Sequence, residues 1–267
     1  MSNRLACATS CYGEKNNLEQ ILKQISSLGF KGVEIMSIPN WFEHVVPEEM
    51  HKKDIDDLKK NLASLNLKPL AISGHCELGK KEGLRQLIER IKFTSAMGVK
   101  IISTGSGMIK NNDQEKNFFY AINQAAELAQ DLKILIALET GGNYLPTGKK
   151  ISNIIKNIKS NNVGVNYDPA NTKAWGKVNP AEDIKYILAD LIHFHIKDYQ
   201  ADSKIFPPLG AGNINFSQLF DLISNAGYSG YFGIEVDYRN DISTTNLNMK
   251  KSLDFLYNKT NFINLFT

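Results

Sequence analysis

Four apolar, strand-like runs in the second half of the chain each end at a side chain that can bind a metal ion. These side chains are Glu139, Asp168, His195 and Glu235, which follow the runs 134–138, 163–167, 191–194 and 231–234. A single carboxylate after a strand means little, because strands commonly lead into polar loops. Four such ends in succession are difficult to explain by packing or helix capping alone. Three carboxylates and an imidazole form a ligand set that suits a divalent cation such as Mn, Mg, Co or Zn.

The elements that carry these residues alternate between strand-like and helix-like patterns along the whole chain. Eight apolar runs are typical of strands, at residues 5–9, 32–36, 69–73, 100–103, 134–138, 163–166, 191–195 and 231–236. Amphipathic stretches with a period near 3.6 lie between several of them, at residues 18–28, 84–97, 119–132 and 219–226. Eight repeats in 267 residues amount to about 33 residues each, the size expected of a (β/α)8 barrel.

The chain shows no linker, low-complexity tract or shift in composition. The sequence therefore predicts a single α/β domain, a (β/α)8 TIM barrel that spans residues 1–267. Gly29, Gly98 and Gly227 precede the second, fourth and eighth strands, where helix C-caps and short loops are expected. A doubly wound open sheet is the alternative, but no G-x-G-x-x-G motif follows the first strand to support it.

Composition and net charge are ordinary for a globular protein and point to no special class of partner. The chain is 42% hydrophobic and 22% charged, and its formal net charge is only +3. These values give no reason to expect a nucleic acid or a membrane as partner. The absence of a secretory apolar segment and the presence of only three cysteines predict a reduced, cytoplasmic protein. We expect two of them, Cys7 and Cys11, to share a strand face as core or rim residues.

Strands five to eight would bring the four residues together at one end of the barrel. In this fold the active site lies where the carboxyl ends of the strands meet. Three carboxylates would repel one another there, and a divalent cation removes that repulsion. His193 competes with His195 as a ligand, because the two lie on the same strand face. His195 is nearer the strand end, so we expect it to bind the metal and His193 to lie deeper with a hydrogen-bonded ring. Glu34, inside the second strand, is expected to pair with a base within the barrel.

Several short motifs surround these strand ends. They are residues 29–34 (GFKGVE), 193–198 (HFHIKD), 208–216 (PLGAGNINF), and 227–230 (GYSG) leading to Ile234 and Glu235. In this order they resemble the motifs of the sugar phosphate isomerase/epimerase family, the xylose isomerase-like TIM barrels. The resemblance implies a Glu-Asp-His-Glu metal site formed by Glu139, Asp168, His195 and Glu235. In ketose 3-epimerases of this family the two glutamates also exchange protons with the substrate, which implies that Glu139 and Glu235 are catalytic.

The activity implied is a metal-dependent isomerase or epimerase that removes a proton α to the carbonyl of a ketose or similar polyhydroxy compound. A dehydratase of an inosose or of 3-dehydroshikimate begins with the same step and is the alternative. Apurinic endonucleases share the barrel, but their three-zinc sites use many histidines, whereas this chain has only five and shows no basic face for DNA. A sugar-binding barrel without catalysis is the non-enzyme alternative. The expected partner is a small sugar-like molecule. The sequence leaves open whether the chain forms a homo-oligomer.

Three further residues are predicted to bind the substrate: His75, Asn171 and Lys197. His75 follows the third strand and would face the same mouth. Asn171 stands three residues after Asp168, where several relatives have histidine, and its amide can hydrogen-bond a substrate hydroxyl. Lys197 would contact a substrate oxygen or phosphate, or pair with Asp198. Ketose 3-epimerases have an arginine a few residues beyond this point, so the lysine leaves the choice of ketose undetermined.

Overall fold

Eight parallel strands, paired in chain order, close into a barrel in the computed structural model, which describes residues 3–237, 241–258 and 265–266. The strands are β1 Leu5–Ala8, β2 Gly32–Met36, β3 Lys68–Ser73, β4 Ile101–Thr104, β5 Leu135–Glu139, β6 Val163–Tyr167, β7 Leu191–Ile196 and β8 Tyr231–Ile234. The barrel closes through parallel pairing of β1 with β8. The predicted (β/α)8 fold is confirmed, while the extent of the domain over residues 1–267 stays a prediction.

Helices alternate with the strands and cover the outside of the barrel. They are α1 Leu18–Ser27, α2 Lys52–Ser64, α3 Lys81–Ala96, α4 Asn112–Asp131, α5 Gly148–Ile155, α6 Pro169–Asn171, α7 Pro180–Asp183, α8 Phe216–Asn225 and α9 Ile242–Tyr257. Short 3₁₀ turns lie at Thr9–Tyr12, Pro47–Glu49, Ile184–Tyr186 and Leu188–Asp190, and a π turn lies at Thr172–Gly176. Across the described ranges, none of these helices combines the length and apolar character that crossing a bilayer requires.

Two local expectations differ from the structure. Helix α4 begins at Asn112, seven residues before the predicted start at 119. The apolar periodicity does not reveal this start, because the first turns of the helix are polar. Asn111 caps this helix by accepting a hydrogen bond from the backbone N–H of Gln114 at 2.9 Å. Cys7 and Cys11 do not share a strand face, since β1 ends at Ala8 and Cys11 lies in the 3₁₀ turn that follows. Both thiols are nevertheless buried.

The interior of the barrel changes from apolar to polar towards the mouth. A small apolar cluster at the amino-terminal side is formed by Ala71, Ile101 and Ala137. Side chains two residues apart on a strand share a face, so the next interior positions on the same strands are Ser73, Ser103 and Glu139. The large apolar core lies instead between the strands and the helices. The barrel therefore has room for buried polar groups at its carboxyl end.

The loop between β2 and α2 is fastened to the helix layer by a fully buried arginine. Arg90 of α3 donates to the backbone carbonyl of Ser37 at 2.6 Å and to the carboxylates of Glu43 and Glu48 at 2.8 and 2.9 Å. Charge-assisted hydrogen bonds of this kind are among the stronger ones in proteins. They fix one side of the barrel mouth to α3.

The loop between β7 and α8 is organised around one buried carboxylate. Asp198 accepts hydrogen bonds from the backbone N–H groups of Tyr199, Gly210, Gly212 and Ile214, at 2.8 to 3.1 Å. Four donors satisfy both carboxylate oxygens, so the buried charge carries little desolvation penalty. The loop is thereby folded back onto the end of β7, next to the strand-end residues.

Replacement of Asp198 by asparagine is expected to destabilise the protein by about 2–3 kcal/mol, because one acceptor oxygen becomes a donor that faces backbone N–H groups. Urea unfolding measures this change. The matched control is Asp202→Asn, since Asp202 is exposed in the same loop. Equal unfolding midpoints for the two variants would show that Asp198 does not hold the loop.

Candidate metal centre and active site

Three of the four strand-end residues lie around one imidazole nitrogen of the fourth. His195 of β7 directs Nδ1 towards Glu139 Oε1 at 3.4 Å, Asp168 Oδ2 at 4.0 Å and Glu235 Oε1 at 4.0 Å. Glu139 is the last residue of β5, whereas Asp168 and Glu235 directly follow β6 and β8. The structure therefore brings together all the residues that the sequence predicts as metal ligands.

The donor set fits a divalent cation. One ligand atom each from Glu139, Asp168 and His195 lie within 4.8 Å of one another. Asp168 uses Oδ1 to accept a hydrogen bond from the backbone N–H of Asn171 at 2.8 Å. Its Oδ2 is buried and accepts no hydrogen bond from the described residues. A buried carboxylate oxygen without a donor is costly, and a metal ion would satisfy it. Carboxylate and imidazole ligands suit Mg, Mn, Co and Zn to different degrees.

The second nitrogen of the same ring faces the barrel interior. His195 Nε2 lies 3.1 and 3.2 Å from the two carboxylate oxygens of Glu34, and His193 Nε2 lies 2.9 Å from Glu34 Oε2. All three side chains are fully buried. Glu34 thus pairs with two bases of β7, as its interior position on β2 predicts, and His193 lies deeper than His195 with its ring hydrogen-bonded.

Protonation in this cluster is set by the competition between burial and neighbouring charges. Burial acts to lower the pKa of His195, but the carboxylates of Glu34, Glu139 and Glu235 raise it well above its usual value. Burial acts to raise the pKa of Glu34, but the charges of His195 and His193 hold it well below the usual range. Binding of a cation at Nδ1 of His195 would therefore displace a proton.

Glu139 is held by one side chain from the loop after β3 and one from α6. His75 Nε2 lies 2.9 Å from Glu139 Oε2, and Asn171 Nδ2 donates to Glu139 Oε1 at 2.9 Å. Burial acts to raise the pKa of Glu139, but the charges of His195 and His75 hold it well below its usual value. The side chain of His75 is 28% exposed, so this side of the cluster opens to solvent. His75 and Asn171 both contact Glu139, and their role in substrate binding stays a prediction.

Lys197 forms its ion pairs inside the cluster. Its Nζ donates to Glu235 Oε2 at 2.8 Å and lies 3.7 Å from Asp168 Oδ2, with the ring of Phe206 below it at 4.6 Å. Burial acts to lower the pKa of Lys197, but Glu235 and Asp168 raise it above its usual value. The alternative pairing with Asp198 is not observed, because Asp198 is used by the backbone of the loop that follows.

Among the carboxylates that face His195 Nδ1, Asp168 has its buried negative charge compensated least by neighbouring groups. Burial raises its pKa to about 7, with Lys197 opposing the shift and Glu139 adding to it. A second positive charge close to Oδ2 would favour its ionised form. The raised pKa of Asp168 agrees with the absence of a hydrogen-bond donor at its Oδ2, and both support a cation site next to that oxygen.

The strand-end pattern does not identify two further residues of the site, Asn166 and Ser10. Asn166 is fully buried on β6; its Nδ2 donates to Ser103 Oγ at 2.8 Å and lies 3.2 and 3.4 Å from the two nitrogens of His195. Ser10 donates to Glu235 Oε1 at 3.4 Å. The sequence does carry a signal for Asn166: it lies two residues before Asp168 and therefore on the same strand face. Ser10 lies in a 3₁₀ turn and has no comparable signal.

Comparison with curated proteins finds relatives of similar length. An inosose dehydratase of Clostridium botulinum is 24% identical over 262 residues, with 84% of each chain covered. An inosose isomerase of Halalkalibacterium halodurans is 21% identical over 246 residues, again with 84% of each covered. An uncharacterized protein of Methanocaldococcus jannaschii is 31% identical over 126 residues, which are 45% of this chain and 42% of that protein.

Solved structures show the same fold at low sequence identity. A xylose isomerase domain protein from Planctomyces limnophilus matches with a TM-score of 0.79 and 16% identity, covering 95% of both chains. A xylose isomerase-like TIM barrel protein from Mycobacterium smegmatis, solved in complex with magnesium, matches with a TM-score of 0.78 and 18% identity over 97% of both chains. The family model for the xylose isomerase-like TIM barrel matches residues 22–259. The chain belongs to the xylose isomerase-like TIM barrel family.

Proposed function

We propose that this protein is a divalent-metal-dependent isomerase or epimerase that acts on a ketose or a related polyhydroxy ketone such as an inosose. The observation that carries the proposal is the pair of glutamates, Glu139 and Glu235, which approach one nitrogen of His195 from two different strands. Two carboxylates that flank a common centre can act as acid and base on a substrate placed between them. An inosose isomerase that matches over 84% of both proteins supports the substrate class.

Glu139, Asp168, His195 and Glu235 would hold the cation. When bound, a divalent cation polarises the substrate carbonyl and stabilises the negative charge that develops on its oxygen. Orientation of the substrate would come from the side chains around the cation. His75 and Asn171 offer hydrogen-bonding groups at the solvent-facing side of Glu139, where they can orient substrate hydroxyls.

The reaction consists of two proton transfers. One glutamate accepts the proton from the carbon next to the carbonyl, and the C–H electron pair becomes the C=C bond of an enediolate. A proton is then returned to the opposite face of the same carbon, which gives epimerisation, or to the neighbouring carbon, which gives isomerisation. Each transfer of this kind accelerates a reaction by roughly 10²–10⁴-fold.

Dehydration is the second candidate, and Lys197 is the observation that favours it. Its ammonium lies against both Glu235 and Asp168, where it can donate a hydrogen bond to a departing β-hydroxyl group while keeping its proton, since its pKa is raised. The first proton removal is the same in both reactions; in a dehydratase the electron pair then expels the β-hydroxyl, which leaves as water with the proton that the glutamate has removed. The inosose dehydratase of Clostridium botulinum matches this chain over most of its length.

Replacing either glutamate of the pair by glutamine is expected to lower kcat by at least about 10²-fold, because an amide cannot accept the carbon-bound proton. The measurement follows exchange of the substrate α-proton in D₂O by NMR, with a panel of ketoses and inososes. Glu19→Gln is the control, since Glu19 pairs with Lys23 on the exposed face of α1. Unchanged turnover in both Glu139→Gln and Glu235→Gln would rule out the proton-transfer assignment.

Divalent cation is expected to stabilise the protein against heat. A cation at 100 times its Kd adds about 2.7 kcal/mol to the free energy of unfolding. Asp168→Asn should abolish this increment, because it removes the charge of the carboxylate whose Oδ2 is unsatisfied. Asp113→Asn, on the exposed first turn of α4, should retain it. Thermal unfolding with Mn, Mg, Co or Zn, before and after chelation, makes the comparison; an identical increment in Asp168→Asn would contradict the assignment.

Product analysis separates the two candidate reactions. With the turned-over inosose or ketose, an isomerase or epimerase conserves the substrate mass and changes only its stereochemistry or carbonyl position. A dehydratase loses one water and creates an unsaturated carbonyl with a new ultraviolet absorbance. We expect conserved mass in mass spectrometry; loss of water would instead establish the dehydratase.

A further inference from the structure

We propose that Glu34 is a positioning residue that sets the tautomer and orientation of His195, so that Nδ1 is the nitrogen offered to the cation. The inference rests on the proposed metal-dependent function and concerns a residue outside the predicted ligand set. Through this contact, a residue of β2 would influence the cation site formed at the ends of β5 to β8.

The direction of the hydrogen bonds supports this role. Both oxygens of Glu34 lie within 3.2 Å of His195 Nε2. An ionised carboxylate has acceptors only, so Nε2 must carry the hydrogen. An imidazole with its hydrogen on Nε2 has its lone pair on Nδ1. Nδ1 is the nitrogen that faces Glu139, Asp168 and Glu235.

His193 keeps the carboxylate in place. Its Nε2 lies 2.9 Å from Glu34 Oε2, and its ring stands edge-on to that of His195 with centroids 5.2 Å apart. With two rings as partners, Glu34 cannot turn away from His195 without leaving a buried N–H unsatisfied. The three buried side chains thus restrain one another.

The neighbouring strands leave space for this contact. Gly233 lies opposite His195 in the β7–β8 pairing. A Cβ at position 233 would clash with Glu34 Oε2 and would lie 3.0 Å from His195 Cδ2. Glu34 itself pairs in register with Ala8 on one side and Ala71 on the other. Small residues on the adjoining strands therefore allow a carboxylate to reach across the barrel interior.

A second cation is the competing explanation of this cluster. One ligand atom each from Glu34, His193 and His195 also lie within 4.8 Å of one another. The hydrogen bonds account for the distances without an ion, because each Nε2 meets a carboxylate oxygen at ordinary donor–acceptor range. The number of cations bound per chain distinguishes the two explanations.

The test uses Glu34→Gln in the full chain. Glutamine keeps the size of the side chain but loses the charge and one acceptor, so cation affinity should fall by about 10- to 100-fold. Isothermal titration with zinc and with manganese measures the Kd and the number of bound ions. Glu48→Gln is the matched control, because it removes a carboxylate charge paired with buried Arg90 outside the barrel interior. It should bind the cation as the wild type does.

A measurement on the wild type does not depend on whether the variant folds. Long-range ¹H–¹⁵N spectra of the zinc-loaded protein should show the hydrogen of His195 on Nε2, with Nδ1 as the ligand. Hydrogen on Nδ1, or two zinc ions per chain, would overturn the role of Glu34. An unchanged Kd in folded Glu34→Gln would also overturn it while leaving the metal-dependent function intact. A wild type that binds neither cation would refute the proposed function itself.

Discussion

The organisation of the site depends on the crowding of carboxylates around one imidazole ring. Glu34 contacts Nε2 of His195, and three further carboxylates face its Nδ1. Like charges in a buried site repel strongly because the interior screens them poorly. The ring separates one carboxylate from the other three, and Lys197 compensates part of the remaining charge. A cation among the three completes the compensation, so electrostatics and the proposed chemistry require the same group at the same place.

The barrel makes this crowding possible. Neighbouring parallel strands lie about 4.8 Å apart, which places strand-end side chains from β5 to β8 within reach of one another. The interior is apolar at one end and polar at the other, so the charges collect near the mouth. Buried Asp198 and Arg90 fasten the adjoining loops through hydrogen bonds. The strands thus determine the positions of the charged groups, and Arg90 and Asp198 hold the loops beside them.

Much of this arrangement is predictable from the sequence, because periodicity and strand ends are local properties. The eight strands, and the convergence of Glu139, Asp168, His195 and Glu235, follow from them. The partner of Lys197 does not, since the choice between Asp198 and Glu235 depends on which carboxylate the backbone of the β7–α8 loop has already satisfied. The early start of α4 is missed for a different reason: capping and polar first turns carry no apolar period.

The hydrogen bonds of the two glutamates bear on how a proton could return to the substrate. Glu139 contacts His75 and Asn171, and Glu235 accepts from Lys197. A carboxylate that begins the reaction as an acceptor can remove a proton but has none to give. In an epimerisation, the proton for the second face would therefore come through a neighbour, such as His75 beside Glu139. The ammonium of Lys197 keeps its proton, because Glu235 and Asp168 raise its pKa, and it would instead donate a hydrogen bond to Glu235 or to a departing hydroxyl. The position of the substrate between these two donors, rather than the cation site, would then decide the reaction.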